Sequence, residues 1–117
     1  MIQYNKKNNF DQKFYKIILK IEKNIDLFLK IFKLKNVDYE NKNNLMKIKF
    51  FKKKQKIIIS KQSFLKQIWI ATSKNGYHFK YFKKKNKWIC IRSKYELSEL
   101  LKKIFFKYTK KNFFINI

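Results

Sequence analysis

Residues 46–50 read Met-Lys-Ile-Lys-Phe, and this alternation of apolar and charged residues decides the fold. Successive side chains of a strand point to opposite faces of a sheet, so the stretch predicts a strand with one buried and one solvated face. Further short runs of strand type follow it, at 56–60, 67–72, 77–82 and 88–92. Polar segments of hairpin length flank and separate these runs, at 41–44, 52–55, 73–76 and 83–86. Because such links leave no room for crossover helices, an antiparallel meander is predicted.

Apolar residues with helical spacing flank this region on both sides. Ahead of it, they recur in steps of three or four and predict a helix from about residue 9 to about residue 33. Asn8 or Asn9 is a suitable N-cap for that helix. Behind it, Ser93 and Glu96 have the spacing of a capping box and predict a second helix over 94–108. The expected buried residues of the two helices include Ile17, Ile21, Phe28, Leu97, Leu101 and Ile104.

The predicted order of elements is therefore helix, five or six antiparallel strands, helix. Helices at the two ends of a meander can cover the same side of the sheet. We expect an α+β fold, a two-layer sandwich with two helices packed on one face of a five- to six-stranded antiparallel sheet. A chain of 117 residues suits a single domain spanning 1–117 and is too short for two ordinary ones. The apolar segment 113–117 is expected to fold back against the helices.

The charge of the chain is strongly positive, with 31 Lys and Arg against 7 Asp and Glu and a formal net charge of +24. Such a charge is typical of proteins that bind nucleic acid or anionic membranes. However, Lys, Asn and Ile, which have AT-rich codons, make up about half of the residues, so an AT-biased genome alone would produce this composition. Arg92 is the only arginine, although arginine makes the bidentate contacts that nucleic-acid binders favour. A nucleic-acid partner is not expected, and a small basic nucleic-acid-binding protein stays the alternative.

Single residues exclude several other classes. Cys90 and His78 are the only residues of their types, so neither an intramolecular disulfide nor a thiolate or imidazole metal cluster can form. No spacing of catalytic residues supports an enzyme. The polar N-terminus, 1–10, fits no signal peptide, and lysines interrupt every longer apolar stretch, so no membrane span is expected. A cytoplasmic monomer is the resulting expectation.

Four segments, read together, resemble the centre of a bacterial frataxin of the CyaY type. They are Ile57–Gln62, Gln67–Thr72, Gly76–Phe79 and Trp88–Ser93, which together span about 37 residues. The flanking helices and short hairpins agree with the α-β sandwich of that family. The resemblance implies a small iron-binding protein, not an enzyme. Such a protein contacts the cysteine desulfurase and the scaffold of iron–sulfur cluster assembly and adjusts the rate of that process.

The resemblance also implies iron ligands on the first helix and the first strand. The matching positions keep Glu22 and Asp26, which are i and i+4 neighbours on the helix. They also keep Asp38 and Glu40, which period two places on one side of the strand. Lysines stand in or beside these positions and oppose cations: Lys23, Lys30, Lys33 and Lys35. We therefore expect the four carboxylates to meet in one patch that binds iron, Fe2+ or Fe3+, weakly. A frataxin-fold interaction protein that has lost iron binding is a further alternative.

Trp69 is the main candidate for contact with a protein partner. Alternation places Ile68 and Ile70 on one face of their strand, and Gln67 and Trp69 on the other. If the isoleucines face the helices, Trp69 stands on the open sheet surface with Gln67 and His78 near it. A large exposed aromatic side chain is a usual anchor for a partner, and the resemblance assigns the matching tryptophan to contact with the assembly scaffold. The alternative is a tryptophan of the core.

Overall fold

A computed structural model describes residues 9–117 as two helices with a six-stranded sheet between them in sequence. The predicted capping residue Asn8 lies outside this range. The helices are α1, Asn9–Phe32, and α2, Leu97–Thr109. The strands are β1, Val37–Lys42; β2, Leu45–Phe50; β3, Gln55–Gln62; β4, Gln67–Ala71; β5, Gly76–Phe82; and β6, Lys87–Cys90. Within 9–117, neither helix has the length and apolar character that crossing a bilayer requires.

The sheet is a meander in which each strand pairs antiparallel with the next, in the order β1 to β6. Burial alternates along the strands: Met46, Ile48 and Phe50 are buried on β2, as are Ile68 and Ile70 on β4. Both helices pack against this buried side. Among the elements of 9–117, none covers the other side, which we call the open face. The predicted two-layer sandwich is confirmed, with six strands rather than five.

The core lies between the sheet and the two helices, and every helix residue predicted to be buried is buried. Its aromatic part is centred on Phe105 of α2, whose ring lies 5.4 Å from that of Phe28 and 5.1 Å from that of Phe50. Phe113 stacks on the same ring at 4.0 Å. Because Phe113 and Ile115 are both buried, the predicted folding back of the C-terminal segment is confirmed.

The start of α2 differs from the prediction. The helix begins at Leu97 with Glu96 as its N-cap, and the backbone N–H of Glu96 donates to Glu99 Oε1 at 3.1 Å. The capping box is therefore Glu96 with Glu99, and the predicted pair of Ser93 with Glu96 is wrong. The reason is tertiary: Glu96 forms an isolated bridge with Ile89 of β6, which keeps the chain extended up to that point.

Turns in this chain are built almost without glycine. Within 9–117, seven residues other than glycine have positive φ, and the single glycine, Gly76, is not in that conformation. The left-handed region strains a residue with a Cβ atom, which is why glycine usually occupies it. Five of the seven are lysines and two are asparagines: Lys33, Asn43, Lys54, Lys66, Asn86, Lys94 and Lys110.

Candidate functional site

Trp69, His78 and Gln67 form one contiguous surface at the centre of the open face, which we call the aromatic platform. Trp69 and His78 are directly opposite each other in the pairing of β4 with β5. Their rings stack with centroids 4.0 Å apart and planes 7° apart. The Trp69 indole Nε1–H donates to Gln67 Oε1 at 2.8 Å. The sequence-predicted residues are thus brought together.

The turn between β4 and β5 sets this register. The Thr72 hydroxyl oxygen accepts from the backbone N–H of Asn75 at 2.9 Å, and the Thr72 N–H donates to the Asn75 carbonyl at 2.8 Å. These bonds close the hairpin so that Ala71 pairs with Gly76. Counting two residues back along β4 from there places Trp69 opposite His78.

The surroundings of the aromatic platform are polar, with one charged neighbour, Lys80, which lies opposite Gln67. Ser60 of β3 lies directly opposite Trp69 on its other side. The Gln62 side-chain amide donates to the Ser60 hydroxyl at 3.2 Å. Trp69 is half-buried and His78 is exposed, so one broad aromatic surface is available to a second molecule. Flat rings bordered by amide and hydroxyl groups suit the burial and hydrogen bonding of a protein interface.

The lysines of the open face do not form a continuous stripe. Four of the described lysines on this face lie on β1 to β3 and one lies on β5: Lys42, Lys47, Lys49, Lys56 and Lys80. The neutral centre at Ser60 and Trp69 separates them. A stripe running across the sheet is what the nucleic-acid alternative requires.

The four predicted iron ligands are divided into two pairs by the edge strand β1. Tyr39 of β1 points towards α1, where its hydroxyl donates to Asp26 Oδ1 at 2.9 Å. The alternating residues Asp38 and Glu40 therefore point to the open face, where Glu40 lies 3.8 Å from Lys47. Within the described range 9–117, no three Asp, Glu, His or Cys side chains come together as ligands for a metal ion. The four carboxylates thus form two pairs instead of the single predicted patch.

Glu22 and Asp26 connect α1 to β1 through hydrogen bonds. Glu22 Oε2 accepts from the Asn41 side-chain amide at 3.3 Å, beside the bond from Tyr39 to Asp26. Burial raises the pKa of Tyr39 to about 12, together with its hydrogen bond to Asp26 and the negative charges of Asp26, Glu22 and Asp38. Neither Tyr39 nor Asn41 was predicted from the sequence as part of this site. Their alternation with Asp38 and Glu40 was the signal that could have identified them.

Cys90, the one cysteine, lies on the helix side of β6 opposite Phe79 and is buried. Burial raises the pKa of its thiol, but hydrogen bonds with the Ser93 side chain and with nearby backbone groups outweigh this and leave the pKa below its ordinary value. Cys90 is thus a small buried residue of the core.

The described part of the chain is a small α+β sandwich, with two helices on one face of the sheet and the aromatic platform on the other. The family model for the frataxin-like domain matches residues 4–111. The chain belongs to the frataxin-like family, whose members take part in iron–sulfur cluster assembly.

Individual members of the family show which proteins this chain resembles. The iron-sulfur cluster assembly protein CyaY of Buchnera aphidicola subsp. Acyrthosiphon pisum is 46% identical over 86 residues, which cover 74% of this chain and 69% of that protein. CyaY of Buchnera aphidicola subsp. Schizaphis graminum is 41% identical over 97 residues, which cover 82% of this chain and 74% of that protein. A solved frataxin from Psychromonas ingrahamii superimposes with a TM-score of 0.71 at 29% identity, covering 92% of this chain and 98% of that one. The resemblance inferred from the sequence is confirmed.

Proposed function

We propose that this protein binds the cysteine desulfurase and the scaffold protein of iron–sulfur cluster assembly in the cytoplasm, adjusts the rate of assembly, and catalyses no reaction itself. The observation that carries the proposal is the stacked pair of Trp69 and His78 on the open face of a frataxin-like sandwich. The aromatic platform is the proposed contact surface.

The geometry of the aromatic platform favours tight contact at low entropic cost. Trp69 is held by the stack on one side and by its hydrogen bond to Gln67, so little rotamer freedom remains to be lost on binding. Tryptophan is also enriched among the residues that contribute most to interface affinity. A preorganised tryptophan in a polar setting is therefore the expected anchor of the interface.

Substitution of Trp69 tests this proposal. Trp69→Ala should weaken binding to the scaffold or the desulfurase by about 2 kcal/mol, roughly thirtyfold, because it removes a preorganised anchor. The matched control is Phe106→Ala, which truncates an exposed aromatic residue on α2, in the helix layer. Titration calorimetry gives the affinities, and thermal unfolding checks that each variant folds. An equal loss for Phe106→Ala, or a Trp69→Ala variant that does not fold, would refute the contact surface.

We further propose that ferrous iron binds weakly at the carboxylate pairs on either side of β1. Carboxylate oxygens are hard ligands that suit weak, exchangeable cation binding. After burial and the hydrogen bond to Asp26, the negative charges of Asp26 and Glu22 contribute to the raised pKa of Tyr39, and the same charges would attract a cation. Each pair nevertheless offers only two carboxylates, and Lys47 lies against Glu40. Weak binding follows from this small ligand number.

An NMR titration with Mn2+ as the probe tests the iron proposal. Paramagnetic broadening should begin at the backbone amides around Glu22, Asp26, Asp38 and Glu40. Glu22→Gln together with Asp26→Asn should remove the broadening on the α1 side only. Broadening spread evenly over the chain, or confined to His78 and Glu99, would reject these ligands while leaving the proposal for the aromatic platform intact.

A further inference from the structure

A cleft of about 510 Å3 lies between the first half of α1 and the hairpin of β5 and β6, and it shares no lining residue with the aromatic platform. The side chains of Tyr81 and Trp88 form part of its wall, and the last residues, Asn116 and Ile117, close one side. Its most unusual feature is charge. Five lysines line it: Lys13, Lys16, Lys20, Lys85 and Lys87.

These lysines have almost no acidic neighbours. Among residues 9–117, the one carboxylate within ion-pair distance of them belongs to Glu96, at 3.9 Å from Lys87. The Lys13 ammonium group lies instead over the Tyr81 ring, 3.8 Å from its centroid. The Tyr81 hydroxyl donates to Asn86 Oδ1, which fixes that ring against the hairpin turn. Five lysine side chains therefore line one concave space with a single ion pair among them, and an anion placed there would be attracted by their combined charge.

We propose that this cleft binds an oligophosphate anion, such as tripolyphosphate or the triphosphate of a nucleotide. Its volume falls within the range of small-molecule sites. The ammonium groups come from two separate elements, α1 and the β5–β6 hairpin, and so can surround a chain of phosphates carrying several charges. Lysine acts as a compact point charge that binds phosphate without the bidentate geometry of arginine. A ligand with several negative charges therefore fits better than a single carboxylate.

The test uses the second tryptophan as a local reporter. The chain has two tryptophans, so Trp69→Phe leaves Trp88 in the cleft wall as the only one. Titration of this variant with tripolyphosphate at fixed ionic strength should change the Trp88 emission and reach saturation. The same titration with ATP separates the two phosphate sources, because tighter binding of ATP would assign part of the affinity to the nucleoside.

Two triple variants with the same change of charge decide the site. Lys16→Gln, Lys20→Gln and Lys85→Gln together should raise the dissociation constant about tenfold or more. Lys52→Gln, Lys53→Gln and Lys56→Gln together remove three exposed lysines outside the cleft and should change it less than twofold. An equal loss in both triple variants would overturn the proposal in favour of general attraction to a chain of charge +24. Tighter binding of an RNA oligonucleotide, weakened equally by both triples, would overturn it in favour of nucleic-acid binding.

Discussion

At the scale of single residues, Tyr39 connects the packing of the edge strand to its electrostatics. Its hydroxyl donates to Asp26 across the space between α1 and β1, and its pKa is raised to about 12. The neutral phenol is therefore the form that the folded state stabilises. Ionisation in the unfolded chain, near pH 10, favours unfolding.

Tyr39→Phe should reveal this linkage. In the wild type, the stabilisation linked to the Tyr39 proton is complete below pH 10 and is lost as the pH rises from 10 to about 12. The variant lacks the hydrogen bond to Asp26 and should be less stable by about 1 kcal/mol at pH 9. The difference in unfolding free energy between the two proteins should therefore shrink between pH 10 and 12, as measured by urea unfolding. Tyr15→Phe, at an exposed tyrosine of α1, is the control, and curves that stay parallel for Tyr39→Phe would contradict the assignment.

The residue pattern predicts which side chains share a face, but not which face is turned towards a helix. Period-two spacing correctly puts Asp38 and Glu40 together. Their separation from Glu22 and Asp26 follows from Tyr39, whose pairing with the buried Ile48 turns it inwards. For Trp69 the same ambiguity was resolved correctly because Ile68 and Ile70 are the more apolar neighbours.

At the scale of elements, α2 ends without the glycine that helix C-termini commonly use. Lys110 has φ 63° there, and its N–H donates to the Phe106 carbonyl at 2.8 Å. The hydrogen bond of the cap is made, but the left-handed backbone conformation of Lys110 strains its Cβ atom. The cap is therefore satisfied at a cost in backbone energy.

Lys110→Gly should stabilise the protein by about 0.5 to 1 kcal/mol, because relief of the left-handed strain outweighs the added freedom of glycine in the unfolded chain. Lys107→Gly is the matched control, since it makes the same exchange inside the last helical turn. That control should cost about 1 kcal/mol because glycine is a poor helix residue. Chemical denaturation measures both, and a loss of similar size in the two variants would show that Lys110 is unstrained.

The boundaries of the elements show where local patterns stop being sufficient. The predicted helix over 9–33 ends at Phe32, as its apolar spacing indicates. The second helix starts three residues later than the pattern of Ser93 and Glu96 predicts. A bridge between Glu96 and Ile89 delays it, and contact between two distant backbone segments cannot be inferred from local spacing.

At the scale of the whole molecule, the segment after α2 completes the core. Phe113 is 2% exposed and packs on Phe28 and Phe105, whereas its neighbour Phe114 is 73% exposed. Adjacent phenylalanines thus have opposite environments. They offer a comparison in which composition, charge and position along the chain are all matched.

Phe113→Ala should lower the free energy of unfolding by about 3 to 5 kcal/mol, the usual cost of truncating a buried phenylalanine. Phe114→Ala should change it by about 0.5 kcal/mol or less, as for most surface substitutions. Urea unfolding of the two variants gives the comparison directly. Similar losses for both would mean that the last residues do not pack as described.

The order of the elements also determines when the chain can finish folding during synthesis. The meander pairs only neighbouring strands, so it can form as each hairpin leaves the ribosome. Its apolar side, however, is covered completely only once α2 and Phe113 arrive, because Phe105 and Phe113 complete the aromatic cluster around Phe28 and Phe50. Until then the nascent sheet presents an uncovered apolar surface, the type of intermediate that aggregates or is bound by chaperones. Commitment to the native state is thus postponed until α2 and Phe113 have been synthesised and can reach the sheet.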